Sequence, residues 1–212
     1  MFVPPVTYLV LALVAGVLLV LGTMVDRRPP QPSADQAFSA SRGRAGSTAH
    51  TAVAPLPRAE PVRLRIPAIG VNASLARLGL DRTGALRPPP EGEASVAGWY
   101  GDGTAPGSRG TAVTTGHVDT RAGSPGVFYR LGAVTKGETI EVDRADGRTA
   151  VFTVDAVEVY DKDRFPEKKV YGSSGRPELR VITCGGSAGD DGYRGNVVVY
   201  ATLTAVRQTG AG

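Results

Sequence analysis

Cysteine is almost absent from this chain. Cys184 is the only one, which excludes an intramolecular disulfide and any cysteine-rich zinc site. Histidine is nearly as scarce, and of the two present His50 lies in a low-complexity stretch, leaving His117 as the single imidazole of the candidate folded region. One Cys and one His supply too few soft ligands for a zinc enzyme. Aromatic residues make up only 6% of the chain. The arginines at 27, 28, 42, 44 and 58 have only Phe38 among them, so no stacking platform for single-stranded nucleic acid is indicated, and no nucleic-acid partner is expected. The net charge of +4 is modest, and part of it sits in this arginine-bearing stretch, read as a solvated stalk.

Glycine and proline are abundant instead, with 28 and 16 residues. They follow no strict period, which excludes collagen and favours a turn-rich, strand-rich protein. At 212 residues, one folded domain with appendages is expected.

Four regions follow from the composition. Residues 1–25 contain the run Val6 to Val25, which carries no charge and no polar face. An apolar helix of about 20 residues crosses the hydrocarbon layer, so a single-pass membrane anchor is expected, in preference to a signal peptide removed at a small-residue site. Residues 26–60 are rich in Pro, Ala, Ser and Arg without hydrophobic periodicity and read as a disordered linker. Residues 61–206 form the candidate catalytic domain, and 207–212 a short tail. Arg27 and Arg28 directly follow the apolar run, whereas no basic residue precedes it. The positive-inside rule would therefore place the domain in the cytoplasm. An extracellular domain is expected on functional grounds alone.

Within the domain, Val62–Ile66 alternates with period two, and Ser74–Leu80, Gly110–Thr115, Thr139–Val142, Thr149–Val159, Leu179–Thr183 and Asn196–Leu203 read as further strands. Asp146-Gly147 is a hairpin turn signal. Only Pro125–Leu131 suggests a helical turn. Seven or eight short strands predict an all-β fold closed into a barrel.

The chemistry-bearing residues lie at strand ends beside glycines. Cys184 follows a hydrophobic strand and precedes Gly185-Gly186; His117 follows Gly116 at the end of another. Each alone is compatible with a structural role: a free Cys is commonly a small buried hydrophobe, and a His a hydrogen-bonded strut. Together they form a thiol nucleophile and a proton donor and acceptor for acyl transfer. Acyl transfer also needs a donor for the developing oxyanion. Arg194 is the candidate, with Arg180 as the rival. Asp119 could orient His117, and Thr183 adjoins the nucleophile.

The segments TGHVDT at 115–120, LRVITCGG at 179–186 and YRGNVVVYA at 193–201 resemble the sortase family, most closely the actinobacterial class F group. Ile66–Val71 and Ala97–Tyr100 support the resemblance, which spans about Val62 to Thr204. It implies an eight-stranded β-barrel with His117, Cys184 and Arg194 converging at one rim. It implies a cysteine transpeptidase that cleaves a C-terminal LPXTG-like sorting motif, passes through a Cys thioacyl intermediate and transfers the acyl group to a cell-envelope amine. It implies as partners surface proteins bearing that motif and a cell-wall amine, with no cofactor. The loop from Tyr160 to Glu178 is then expected to wall the sorting-motif groove, with Val170, Tyr171 and, from elsewhere, Trp99 as contacts. Two readings stay open beside it: a hydrolytic cysteine peptidase of the envelope and a non-catalytic binding module.

Overall fold

A computed structural model describes residues 28–39, 53–189 and 192–208. The apolar run at 6–25 expected to cross the membrane lies outside these residues, and among the described ones no helix is long and apolar enough to do so.

Eight strands close into a barrel: β1 (Pro61–Ile66), β2 (Val71–Leu78), β3 (Ala97–Tyr100), β4 (Gly110–Thr115), β5 (Thr139–Arg144), β6 (Arg148–Asp161), β7 (Pro177–Gly189) and β8 (Gly192–Gln208). Their order around the barrel is β1-β2-β3-β4-β7-β8-β6-β5, with β5 returning to β1. The β2–β3 and β4–β7 pairs are parallel and the others antiparallel. Alternation along the strands divides the side chains cleanly. Leu179 and Val181 of β7 and Val197, Val199 and Ala201 of β8 point into the main core with Leu64, Phe128 and Phe152. Ile182 of β7 and Val198 and Tyr200 of β8 point outward, where Val113 and Val170 cover them in a second cluster. Val170 belongs to α1 (Glu167–Tyr171), a single short helix in the β6–β7 connection.

Every expected strand is present: Gly110–Thr115 has the expected bounds, the strand expected at Ser74–Leu80 runs instead from Val71 to Leu78, and the others extend beyond theirs. Strand β3 was not foreseen as a strand because four residues are too few to show alternation. The helical turn expected at Pro125–Leu131 gives way to a 3-10 turn at Leu131–Ala133, and the α-helix lies instead at α1. The Asp146-Gly147 turn joins β5 to β6 as expected, with Gly147 at φ +73°, where a side chain would be strained.

The proline-rich region 26–60, expected as a disordered linker, packs on the barrel in two places. Leu56 donates its N–H to the Gly107 carbonyl, and Arg58 reaches the carbonyls of Gly101 and Gly103. The guanidinium of Arg144, whose side chain is fully buried, binds the Pro57 and Pro106 carbonyls and Asp146. Further upstream, Gln36 accepts from the Lys136 N–H at 2.8 Å, and the Phe38 ring packs edge-on against Tyr200 with centroids 5.0 Å apart. Composition did not reveal these contacts because they are main-chain bonds and single anchors rather than a periodic apolar face. The folded region also continues to Gln208, two residues past the expected boundary at 206.

Removing residues 1–60 should therefore lower stability relative to removing 1–52, because Arg144 loses the Pro57 acceptor. The expected difference is about 1–3 kcal/mol, read by chemical unfolding; equal stabilities would show that the 53–60 segment contributes nothing.

Several carboxylates are held below their ordinary range, Asp143, Asp146, Glu158 and Glu178 among them. At Asp143, burial works upward, but hydrogen bonds from Arg65 and Thr149 overcome it. Burial likewise opposes the shifts at Glu158, where bonds from Lys169 and Tyr160 prevail, and at Glu178, where bonds from Ser174 and Arg180 prevail. At Asp146 the hydrogen bond from Arg144 leads. Depressed carboxylates contribute stability above the unfolded-state value and lose it as pH falls through the folded-state value. The free energy of unfolding should thus be flat near neutrality and fall below roughly pH 4, with a shallower fall in Asp143→Asn.

Candidate functional site

The site is built by register. In the parallel β4–β7 ladder Thr114 lies opposite Val181 and Thr115 opposite Ile182, and the Gly116 N–H donates to the Ile182 carbonyl at 3.2 Å. Continuing that register brings His117 beside Cys184. The adjoining glycines show which way the two side chains face. A Cβ on Gly116 would strike Phe128 and one on Gly185 would strike Val197, both core residues. Side chains alternate along a strand, so His117 and Cys184 face outward. Across the antiparallel β7–β8 pair, Asn196 lies opposite Cys184. Arg194, two residues away on the same face, is a diagonal neighbour at about 7–8 Å, within reach of a long side chain.

Cys184 is exposed, which removes the reading of it as a buried hydrophobe. Strand β7 does not end there, as the sequence suggested. It continues through an irregularity between Gly185 and Ala188, where Gly186 takes φ +79°, and turns back into β8. The thiol therefore sits on a two-stranded rim. Among the described residues no hydrogen bond joins Cys184 to His117, and none holds the exposed Arg194.

Arg180 is different. Its side chain is 7% exposed, pairs with Glu178 at 2.7 Å and lies over the Tyr200 ring at 4.5 Å. Its Nε is buried without a partner. This guanidinium is committed to the packing beneath α1, whereas among the described residues Arg194 has no carboxylate partner.

Thr183 is buried and donates its hydroxyl to the Gly116 carbonyl at 2.8 Å. It ties the residue before the nucleophile to the residue before the imidazole. Asp119, expected to orient His117, instead accepts a hydrogen bond from the Tyr193 hydroxyl at 2.8 Å. Burial, helped by this bond and by the nearby Cys184, pushes the Tyr193 phenol up to about 12, so it stays a donor at neutral pH. The link joins the loop after His117 to the start of β8. His117 finds its partner elsewhere: Nε2 lies 2.9 Å from the Pro89 carbonyl. Beside it is a pocket of about 170 Å³ lined by Glu91, His117, Asp119, Thr120 and Arg121.

Two of the three expected substrate contacts are not on open surface. Trp99 is 2% exposed, donates to the Thr104 carbonyl and is flanked by the guanidinium groups of Arg58 and Arg77. Val170 is fully buried and anchors α1 to the barrel. Tyr171 alone is half exposed, its ring 5.7 Å from that of Phe165. Residue type suggested all three; burial separates them. Pro89, Tyr193 and Asn196 were not singled out, although Tyr193 and Asn196 stand inside a motif already noted.

An exposed thiol, an adjacent imidazole and a guanidinium without a partner among the described residues, on one face, are suited to acyl transfer. Residues 64–204 match the family model described as Sortase domain. Among solved structures, the chain is similar to sortase A of Listeria monocytogenes, at 16% identity over 73% of this chain and 93% of that one, with a TM-score of 0.52. It is similar to the SrtA sortase of Actinomyces oris, at 19% identity over 78% and 92%, with a TM-score of 0.53. A lid mutant of sortase A from Corynebacterium diphtheriae gives 22% identity over 70% and 73%, with a TM-score of 0.51. No curated protein matches the chain.

Thr183→Val removes the hydroxyl that ties β7 to the His117 loop and leaves the Gly116 carbonyl short of its donor. It should cost about 1–3 kcal/mol of unfolding free energy, while Thr183→Ser, which keeps the hydroxyl, should lose little. Equal stability of the valine and serine variants would mean that the bond contributes nothing.

Proposed function

The chain belongs to the sortase family, whose members are cysteine transpeptidases, and from that premise we propose that Cys184, His117 and Arg194 carry out the reaction on a C-terminal LPXTG-like sorting motif. The observation that supports the assignment is the pairing of β4, β7 and β8, whose registers, continued two residues past the end of β4 to His117, bring the three residues to one outer face.

The Cys184 thiolate attacks the carbonyl carbon of the motif Thr. The π electrons move to oxygen, where the Arg194 guanidinium donates to the developing charge. Protonated His117 gives its proton to the departing Gly nitrogen as the C–N bond breaks, leaving a thioacyl enzyme and a neutral imidazole. A cell-envelope amine then attacks the thioester, and His117 takes the amine proton as the C–S bond breaks and the thiolate returns. The products are the freed C-terminal peptide and a new amide. No cofactor is needed, since every electron pair comes from substrate or thiolate.

The motif segments support assignment to the class F group of actinobacteria. The apolar run at 6–25 supports a single membrane anchor, and the chemistry of surface-protein attachment supports a domain outside the cell. The clients are surface proteins bearing the sorting motif.

Incubation with a sorting-motif peptide should give a Cys184 thioacyl adduct by mass spectrometry, and an added primary amine should convert it to an amide product. Release of free acid only, at unchanged rate with amine, would make the enzyme a hydrolase. Cys184→Ala should abolish cleavage. Arg194→Ala should lose at least about 10² in kcat with an unchanged melting temperature. Arg180→Ala, which strands buried Glu178, should instead lose about 3–5 kcal/mol of stability. The reverse pattern would exchange the two arginines' roles.

A further inference from the structure

The connection between β2 and β3 carries three consecutive prolines, Pro88-Pro89-Pro90, and is built to deliver the middle one to the candidate site. Asp81 Oδ1 accepts the N–H groups of Thr83 and Ala85, the Asp81 N–H donates to the Ala85 carbonyl, and the Arg87 N–H donates to the Gly79 carbonyl at 3.1 Å. These bonds close residues 79–87 into a short excursion that returns the chain to the barrel at Pro88. Pro89 is buried, while Pro88 and Pro90 are exposed. The next residue, Glu91, pairs with Arg121 at 2.7 Å, tying this connection to the loop that follows His117.

A proline ring fixes its own φ, and a residue preceding proline is kept out of the helical region. Pro88 and Pro89 meet both conditions, so the Pro89 carbonyl has a fixed direction. It meets His117 Nε2 at 2.9 Å. A carbonyl oxygen can only accept, so Nε2 must carry the hydrogen. Neutral imidazole has one N–H, which leaves Nδ1 bare.

We infer that the Pro89 carbonyl is the positioning group of His117: it holds the Nε2–H tautomer and makes Nδ1 the nitrogen that exchanges protons in the reaction, an inference that rests on the acid/base role proposed above. The Nε2–H bond then persists through the whole cycle. Nδ1 carries the proton given to the departing Gly nitrogen and receives the one lost by the incoming amine, so the ring alternates between one and two N–H groups with no change of tautomer. Asp119, the acidic neighbour within two residues, is engaged by Tyr193, and the orienting bond comes from the main chain of a different loop. A stiff proline run suits that task, because a main-chain acceptor is only as well placed as the backbone carrying it.

The test uses the full-length chain in detergent micelles, carrying His50→Gln so that His117 is the only imidazole, labelled with ¹⁵N-histidine. At alkaline pH the expected spectrum has a protonated, pyrrole-type Nε2 and a bare, pyridine-type Nδ1. Replacing Pro88, Pro89 and Pro90 together by glycine should mix the tautomers and lower kcat on a sorting peptide by about 10–100-fold, with little change in KM. The parent spectrum decides the matter if the triple variant does not fold. A bare Nε2 in the parent, or unchanged tautomer and kcat in the folded triple variant, overturns the inference. Full turnover by His117→Ala would overturn the acid/base reading itself, an outcome distinguishable from a wrong tautomer.

Discussion

The parallel pairing of β4 with β7 is the constraint on which the site depends. Parallel neighbours cannot be joined by a tight turn and require a long crossover. Here the crossover contains the β5–β6 hairpin and α1, so the strand that leads to His117 and the strand that carries Cys184 pair across a long stretch of chain. The Thr183–Gly116 hydrogen bond, spanning 67 positions in sequence, fixes that pairing at the rim. Long-range pairing of this kind is slow to form, because the chain must close a large loop before the contact is made. Once made, it places the thiol and the imidazole one strand spacing apart, about 4.8 Å between backbones, without either side chain having to hold the other.

Much of this was legible in the sequence, for identifiable reasons. Val62–Ile66 and the NVVVYATL run show alternation or β-branched density long enough to mark strands, and Asp146-Gly147 marks its hairpin. Cys184 and His117 stood out because the chain holds so few of either residue and because glycines flank both. Strand β3 did not stand out, being four residues with a glycine among them. The docking of 28–38 and 53–60 was also hidden, since it depends on main-chain acceptors such as the Pro57 carbonyl, which any residue would provide.

The choice between Arg180 and Arg194 shows where periodicity runs out. Both lie an even number of positions from a residue known to face outward, so both point to the same side of the sheet. What separates them is the covering. Helix α1 buries its Val170 on the outer face of β7 and β8, and Arg180 lies in that region with Glu178 as its counter-ion. Nothing in the strand pattern reveals that the connection preceding β7 folds over one end of the face and leaves the other open. The same covering removes Val170 from the expected groove and leaves Tyr171 at its edge.

The treatment of charge completes the account. Of the three arginines on β7 and β8, Arg180 is paired with Glu178 and Arg207 with Glu141. Arg65 and Arg144, on the strands β1 and β5, are likewise held by carboxylates or carbonyls. Among the described residues Arg194 has no such partner, and like Arg180 it shares a face with the thiol. A guanidinium already satisfied by a carboxylate would have to break that bond to meet a transient oxyanion, and the reorganisation would offset the gain. A guanidinium without a carboxylate partner has no such bond to break. Electrostatic assistance of this kind is largest when the donor is aimed before the charge develops. The barrel thus neutralises the cations that hold it together, and among the described residues Arg194, the cation proposed to assist the reaction, is not one of those.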